Sequence, residues 1–88
     1  MAKTYKFYND AGHGWMAVKR QELVDLGIMD KISTYSHQRG ATVYLEEDCD
    51  AYLFIKAMKD RGIEVKYVDK YVGDRSPIRS YDSYCPTA

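Results

Sequence analysis

The sequence predicts an α+β fold, a two-layer sandwich in which two helices cover one face of a mostly antiparallel sheet of about five short strands. Three observations support this prediction. Apolar and polar residues alternate in several short segments, as in half-buried strands. Two other segments repeat apolar residues every three or four positions, as amphipathic helices do. Turn-forming residues separate the segments, and together they give the order β-β-α-β-β-α-β. A chain of 88 residues has room for a single domain, residues 1–88.

The first two strands are predicted over residues 4–8 and 15–18. The first segment alternates with a period of two, which is typical of strands with one buried face. The second, Trp15 to Val18, is a further short strand on the same prediction. The segment between them is dense in turn residues, Asn9-Asp10-Ala11-Gly12-His13-Gly14. The two strands should therefore form a hairpin with a long connection.

The first helix is predicted over residues 20–26, where Leu23 and Leu26 stand three positions apart. Gly27 and Ile28 follow at once. This pair predicts a Schellman end, in which the glycine takes the left-handed conformation and the isoleucine packs back onto Leu23.

A second hairpin is predicted from residues 32–37 and 41–46, with a tight turn at Gln38-Arg39-Gly40. Val43 and Leu45, which stand two positions apart in the second of these strands, should supply its core face; the alternative is Tyr44 with its neighbours.

The second helix is predicted near residues 50–61, and Gly62-Ile63 repeats the ending of the first helix. Asp48 or Asp50 is expected to cap its start, where a carboxylate meets the positive end of the helix. Its apolar face recurs at spacings of three and four, at Ala51, Phe54, Ile55 and Met58.

The last strand is predicted around Ile63, Val65 and Tyr67, and Gly73 to Pro77 should end it. Ser76 before Pro77 is a suitable cap for one further helical turn. Residues 1–3 and 85–88 are expected to fray, because chain ends have few contacts that hold them.

The net charge is zero, since thirteen basic residues balance thirteen acidic ones. A dedicated nucleic-acid binder usually carries excess positive charge, so nucleic acid is an unlikely partner on this measure. Weak self-repulsion and nine tyrosines instead favour self-association as a dimer or a larger assembly.

The chain has no apolar stretch of the length that spans a bilayer and no apolar secretory signal near its start, so we expect no membrane association and a cytoplasmic location. Cys49 and Cys85 should then be reduced thiols. The two cysteines and two histidines have no zinc spacing, and the sequence predicts no metal site and no cofactor.

The most specific local feature is Gly12-His13-Gly14-Trp15. Its backbone amides could hold an anion, His13 could donate a proton, and Trp15 could stack a base. In the alternative interpretation it is a hairpin loop with glycines at positive φ, and Trp15 anchors the core.

A second candidate segment combines guanidinium groups with aromatic rings: Arg75, Arg79, Tyr81 and Tyr84. Such residues can bind phosphates and stack bases, or anchor a protein interface. Alternatively, the segment is tied over the sheet and its arginines pair with the acidic residues Glu46 to Asp50.

The acidic run Glu46-Glu47-Asp48-Cys49-Asp50 does not fit a calcium loop. A loop starting at Asp48 would need glycine at its sixth position and a carboxylate at its twelfth, which are Leu53 and Lys59. No nucleophile stands beside a base either, so the sequence predicts no catalytic residues and no enzyme.

Three stretches together resemble a group of small uncharacterised proteins of tailed bacteriophages, prophages and plasmids: residues 10–15, Tyr44-Leu45-Glu46-Glu47-Asp48-Cys49-Asp50-Ala51, and Ser76-Pro77-Ile78-Arg79-Ser80-Tyr81. The likeness spans residues 5–84, but His37 stands where the group is expected to have tyrosine. The resemblance implies an accessory viral protein that acts in the host cytosol.

Three functions follow as hypotheses. The first is a non-enzymatic protein that binds and modulates a host protein, in host takeover or against host defence. The second is a protein that binds or sequesters a nucleotide signal, using Trp15, tyrosines, and Arg75 or Arg79. The third is a small hydrolase or nuclease that combines His13 with the acidic run. The candidate binding residues are His13, Trp15, Arg75, Arg79, Tyr81 and Tyr84.

Overall fold

The computed structural model of the chain describes residues 2–86, which form one sheet and two helices. The helices are α1 (Arg20–Asp25) and α2 (Asp50–Asp60), and two short 3₁₀ helices span Met29–Lys31 and Pro77–Ser80. The strands are β1 (Ala2–Asn9), β2 (Gly14–Lys19), β3 (His37–Arg39), β4 (Thr42–Glu46), β5 (Glu64–Tyr71) and β6 (Asp82–Ser83).

The α+β class and the two helices are confirmed, but the sheet is mixed and has six strands in the spatial order β5-β1-β2-β4-β3-β6. β5 pairs with β1 in parallel, while all the other neighbours are antiparallel. The chain reaches β5 through α2, and a connection through a helix allows the next strand to run parallel to its neighbour. The periodicity of a strand gives no information about its direction, so this pairing could not be predicted.

The strand predicted over residues 32–37 is wrong except at its last residue, where β3 begins. The preceding residues form a turn instead, because the hydroxyls of Ser33 and Ser36 both donate to the buried carboxylate of Asp50, at 2.6 and 2.5 Å. The two-residue strand β6, which pairs with His37 and Gln38 of β3, was not predicted.

One face of the sheet packs against both helices and forms the core. Met16 and Val18 of β2 lie in this layer. Val43 and Leu45 of β4 lie there too, and they are the first of the two sets predicted for that strand. α1 contributes Leu23, and α2 contributes Ala51, Phe54 and Met58. The other face of the sheet lies opposite α1 and α2, and we call it the open face. At one end of it, Arg79 of the second 3₁₀ helix lies over the ring of Trp15.

Both predicted Schellman ends are present. Gly27 and Gly62 have φ of 72° and 76°. The Ile28 N–H donates to Leu23 O at 3.1 Å, and the Ile63 N–H donates to Met58 O at 3.0 Å. Each glycine N–H completes the motif through a second bond to the helix, so the last carbonyls are satisfied.

α2 begins where it was predicted, but the predicted capping residue is wrong. Cys49 takes the N-cap position and makes no side-chain cap hydrogen bond. Its own N–H instead donates to the side chain of Glu46 at 2.8 Å. Asp50 is buried at the first helical position, and its carboxylate accepts hydrogen bonds from the hydroxyls of Ser33 and Ser36.

The predicted cap at Ser76 is confirmed: its hydroxyl accepts from the Ile78 N–H, and Pro77 opens the 3₁₀ helix. At the ends predicted to fray, Ala2 and Lys3 belong to β1. The Cys85 N–H donates to Gln38 Oε1 at 2.8 Å. Met1, Thr87 and Ala88 lie outside the described residues.

Candidate functional site

A cleft of about 360 Å³ opens at one end of the open face, where β1 ends and the loop before β2 begins. It collects side chains from the β1–β2 loop, three strands or their flanks, and the C-terminal segment. The lining residues are His13, Trp15, Tyr35, His37, Glu46, Arg75 and Arg79. Four of the six predicted binding residues therefore meet here, although 59 residues separate Trp15 from Arg75 in the chain.

The cleft is held together by the carboxylate of Asp10, whose side chain is fully buried. Arg79 donates to both of its oxygens, from Nε at 2.6 Å and from Nη2 at 2.9 Å. The amides of Gly12, His13 and Ser76 donate to the same carboxylate, at 3.0, 2.8 and 2.9 Å. One side chain thus joins the first loop to the C-terminal 3₁₀ helix.

These donors define the electrostatics of Asp10. Hydrogen bonds from Arg79 hold the pKa of the Asp10 carboxyl well below its usual range, against the opposing effect of burial. The same pairing raises the pKa of Arg79. The amides of Gly12 and His13, which were predicted as a possible anion site, therefore already donate to the carboxylate of Asp10. Asp10 was predicted only as a turn residue, and turn composition alone does not reveal such a role.

Trp15 forms the floor of the cleft and is only 4% exposed. The guanidinium of Arg79 lies over its ring, 5.6 Å from the centroid. The rings of His13 and His37 flank it, each at 6.0 Å between centroids. This arrangement supports the interpretation of Trp15 as an anchor, since little of its ring can reach a ligand.

The glycines of this loop have a packing role rather than a conformational one, because Gly12 and Gly14 are absent from the positions with positive φ. A Cβ on Gly14 would lie 2.4 Å from the ring of Phe7, and one on Gly12 would lie 3.1 Å from Nη2 of Arg79. The explanation by positive φ is therefore wrong, and close approach explains both glycines.

The side chains that remain accessible surround this rigid floor. His13 and Arg75 are exposed, and Tyr35 is 77% exposed. His37 is half-buried, with Nδ1 at 3.1 Å from the carbonyl oxygen of Tyr81. Tyr35, His37 and Glu46 were not predicted as site residues. The register of β3 against β4 explains the position of His37, but no sequence pattern marks Tyr35.

Tyr81 and Tyr84 do not join the cleft. Tyr81 lies further along the open face, 5.3 Å from the ring of Tyr44 and beneath the guanidinium of Arg39. Tyr84 is 3% exposed and belongs to the core, and its hydroxyl donates to the carbonyl of Met29. The assignment of Tyr84 to an accessible binding surface therefore needs correction, because this residue fastens the C-terminal segment.

The acidic run Glu46 to Asp50 does not act as one site. Only Glu46 reaches the cleft, while Asp50 is buried and Glu47 and Asp48 point to solvent. Within residues 2–86, no three His, Cys, Asp or Glu side chains converge as metal ligands would. Arg79 pairs with Asp10 rather than with this run.

None of the helices within the described residues is long and apolar enough to cross a membrane. Comparison with known proteins gave no match: no family model, no curated protein and no solved structure is significantly similar to this chain. The geometry of the cleft and of the open face is therefore the basis for the functional proposals.

Proposed function

We propose that this chain is a non-enzymatic accessory protein of the bacteriophage type, which binds a host protein through the cleft and modulates it. The observation that carries the proposal is the clamp between Asp10 and Arg79, which makes the loop and the C-terminal segment one rigid frame. Tyr35, Arg75 and His13 project around this frame.

An exposed tyrosine and an exposed arginine beside a fixed frame are a favourable arrangement for protein binding. These residue types dominate the energetically important positions of interfaces. A fixed base also reduces the entropy lost when their surroundings become ordered on binding. The frame therefore supports an interface centred on Tyr35 and Arg75.

The chemistry of the lining residues supports binding over catalysis. Arg79, His37 and Glu46 each have a hydrogen-bond partner within the fold. The lining set also has no serine, threonine or cysteine that could serve as a nucleophile. The neutral net charge and the resemblance to phage proteins agree with a partner in the cytosol of the host.

Affinity capture from a lysate of the natural host tests this proposal. The immobilised protein is compared with a Tyr35→Ala, Arg75→Ala variant. The matched control is Tyr52→Ala with Arg61→Ala, which removes an exposed tyrosine and an exposed arginine from α2 and its end. We expect the same host protein to be retained by the wild type and the control, and lost by the cleft variant.

Circular dichroism establishes that each variant is folded. If no host protein is retained specifically, or if the cleft variant retains it as well as the wild type does, the proposal is wrong.

A nucleotide signal is the second candidate ligand, because two arginines and two histidines share the cleft with an exposed tyrosine ring. Arginines bind phosphate at two points, and a ring can stack on a base. Thermal shift against a panel of nucleotides distinguishes this candidate. A rise in melting temperature that the Arg75→Ala change abolishes would favour it over a protein partner.

A further inference from the structure

The charge on the open face of the sheet differs from the zero net charge of the whole chain. Strand register places alternate residues of each strand there, opposite the core face. Lys6 and Tyr8 of β1 lie beside Lys66, Val68 and Lys70 of β5. Across β2, β4 and β3 the same face carries Ala17, Lys19, Thr42, Tyr44 and Arg39.

Charge is unevenly divided between this face and the remainder of the molecule. The strands place five cationic side chains on the open face but only two carboxylates, Glu46 and Glu64. The cationic residues are Lys6, Lys19, Arg39, Lys66 and Lys70. Since the whole chain is neutral, the rest of the protein is correspondingly acidic. The protein therefore presents one basic surface.

Aromatic rings lie in the middle of this basic surface. Tyr44 contacts Tyr8 on one side and Tyr81 on the other, with ring centroids 6.2 and 5.3 Å apart. All three rings are only half-buried. Arg39 lies over Tyr81, 5.0 Å from its centroid, so a cation and a ring already pair at this position.

A shallow trough of about 710 Å³ extends from this surface to the first turn of α1, which contributes Gln21 and Glu22 to its lining. Ala17 forms part of its floor, because its small side chain lies between those of Lys6 and Tyr44 on the neighbouring strands. Tyr8, Lys19 and Thr42 also line it. The carboxylate of Glu22 reaches one border, where it is occupied by hydrogen bonds from Lys3 and Tyr5.

We propose that the open face binds single-stranded nucleic acid, with bases against the tyrosine rings and phosphates against the surrounding lysines. A positively charged groove with aromatic rings is the usual platform for single strands, because every base can stack and every phosphate can pair with a cation. In a duplex the bases are paired and stacked, so they cannot stack on the tyrosine rings. An acidic polypeptide could pair with the lysines, but it has no bases to stack on the rings. This proposal is independent of the cleft and of a host-protein partner.

Fluorescence anisotropy with a labelled oligothymidine of roughly 12 nucleotides tests the proposal, since one small domain covers about 4 to 16 nucleotides. We expect binding at low salt that weakens as salt rises, because each neutralised phosphate releases counterions. A duplex of the same length and polyglutamate serve as competitors, and both should compete poorly.

Two pairs of variants locate the site. Lys6→Glu with Lys66→Glu reverses charge on the open face, and Lys31→Glu with Lys59→Glu makes the same change on exposed residues outside that face. We expect the first pair to weaken binding at least about tenfold and the second to leave it nearly unchanged. Tyr44→Leu should weaken binding by about tenfold, while Tyr44→Phe keeps the ring and should bind like the wild type.

Three outcomes would overturn the proposal: no binding of the oligonucleotide at low salt, equal loss in both pairs of charge variants, or displacement by polyglutamate as effective as by unlabelled oligonucleotide. The last outcome would indicate an acidic protein as the partner of this face. Melting curves of all variants distinguish loss of the site from loss of the fold.

Discussion

Arg79 donates two hydrogen bonds to the carboxylate of Asp10, from a position 69 residues further along the chain. The carboxylate is buried, while the guanidinium retains some exposure and covers Trp15. A pair of this kind holds the geometry of the cleft, because the same carboxylate also accepts from three backbone amides. Arg79 was predicted as a binding residue, and its contacts show that it holds the frame of the cleft.

Replacing Arg79 by alanine should destabilise the fold, because a buried carboxylate would lose its charged partner. Arg75→Ala is the matched control, since Arg75 is an exposed arginine of the same segment. We expect the control to change stability within about 0.5 kcal/mol, as surface substitutions usually do. Urea unfolding measures both variants. Equal midpoints for the two would show that the clamp contributes nothing.

Acid should weaken the protein through Asp10. The pKa of its carboxyl is lowered in the folded state, whereas an aspartate in an unfolded chain has a pKa of about 3.9. The unfolded state therefore binds more protons as the pH drops, so this stabilisation is present above about pH 4 and is lost as the pH falls toward the folded pKa.

Melting temperature measured between about pH 2 and pH 7 checks this expectation. The wild type should lose stability progressively below about pH 4. Asp10→Asn should begin less stable and show a shallower dependence over that range, because it lacks the titrating group. Parallel curves for the two proteins would contradict the role assigned to Asp10.

Gly27→Ala and Gly62→Ala should each destabilise by about 1 kcal/mol, because a Cβ strains the left-handed conformation. Apart from the adjoining backbone, no atom of residues 2–86 lies within 4 Å of a Cβ built at either position, so the cost is conformational and not steric crowding. Asparagine tolerates this conformation better, so Gly27→Asn and Gly62→Asn should lose less. Chemical denaturation ranks the variants, and alanine as stable as glycine would contradict the motif.

Self-association is a further prediction, and β5 is the edge expected to mediate it. The Val72 N–H donates to Asn9 O at 2.8 Å, so by strand alternation the N–H and C=O groups of Val65, Tyr67 and Asp69 point away from β1. No other described strand pairs with that side of β5. Free edges of this length favour pairing with another chain.

Antiparallel pairing of two β5 strands about Tyr67 would place Glu64 of one copy opposite Lys70 of the other. This register is complementary in charge, and it places Val68 opposite a lysine, Lys66. Val68→Lys should therefore weaken dimerisation, because like charges would face each other.

Val24→Lys is the matched control for Val68→Lys, since the two valines are 45% and 49% exposed. Sedimentation equilibrium of both variants and the wild type measures the effect. A monomeric wild type at high concentration would contradict the prediction of self-association. Equal dimerisation of the two variants would place the interface elsewhere.

The site was predicted in part. His13, Trp15, Arg75 and Arg79 were predicted as binding residues, and they lie together around the cleft. Which of them are accessible could not be predicted, because that depends on Asp10 and on the path of the C-terminal segment. Tyr84 illustrates the same limit, since an aromatic residue near a chain end has the same sequence signal whether it packs inward or outward.

Both helices, their ends and most of the strands of this protein follow from local sequence patterns. Periodicity, the glycine–isoleucine helix ends and the Ser76–Pro77 cap depend on neighbouring residues, whose steric and hydrogen-bonding preferences act over a few positions. The parallel pairing of β5 with β1, the partner of Arg79 and the separation of charge onto the open face are visible in the three-dimensional arrangement alone. These depend on contacts between distant residues, and composition counts charges without recording which face of a sheet carries them.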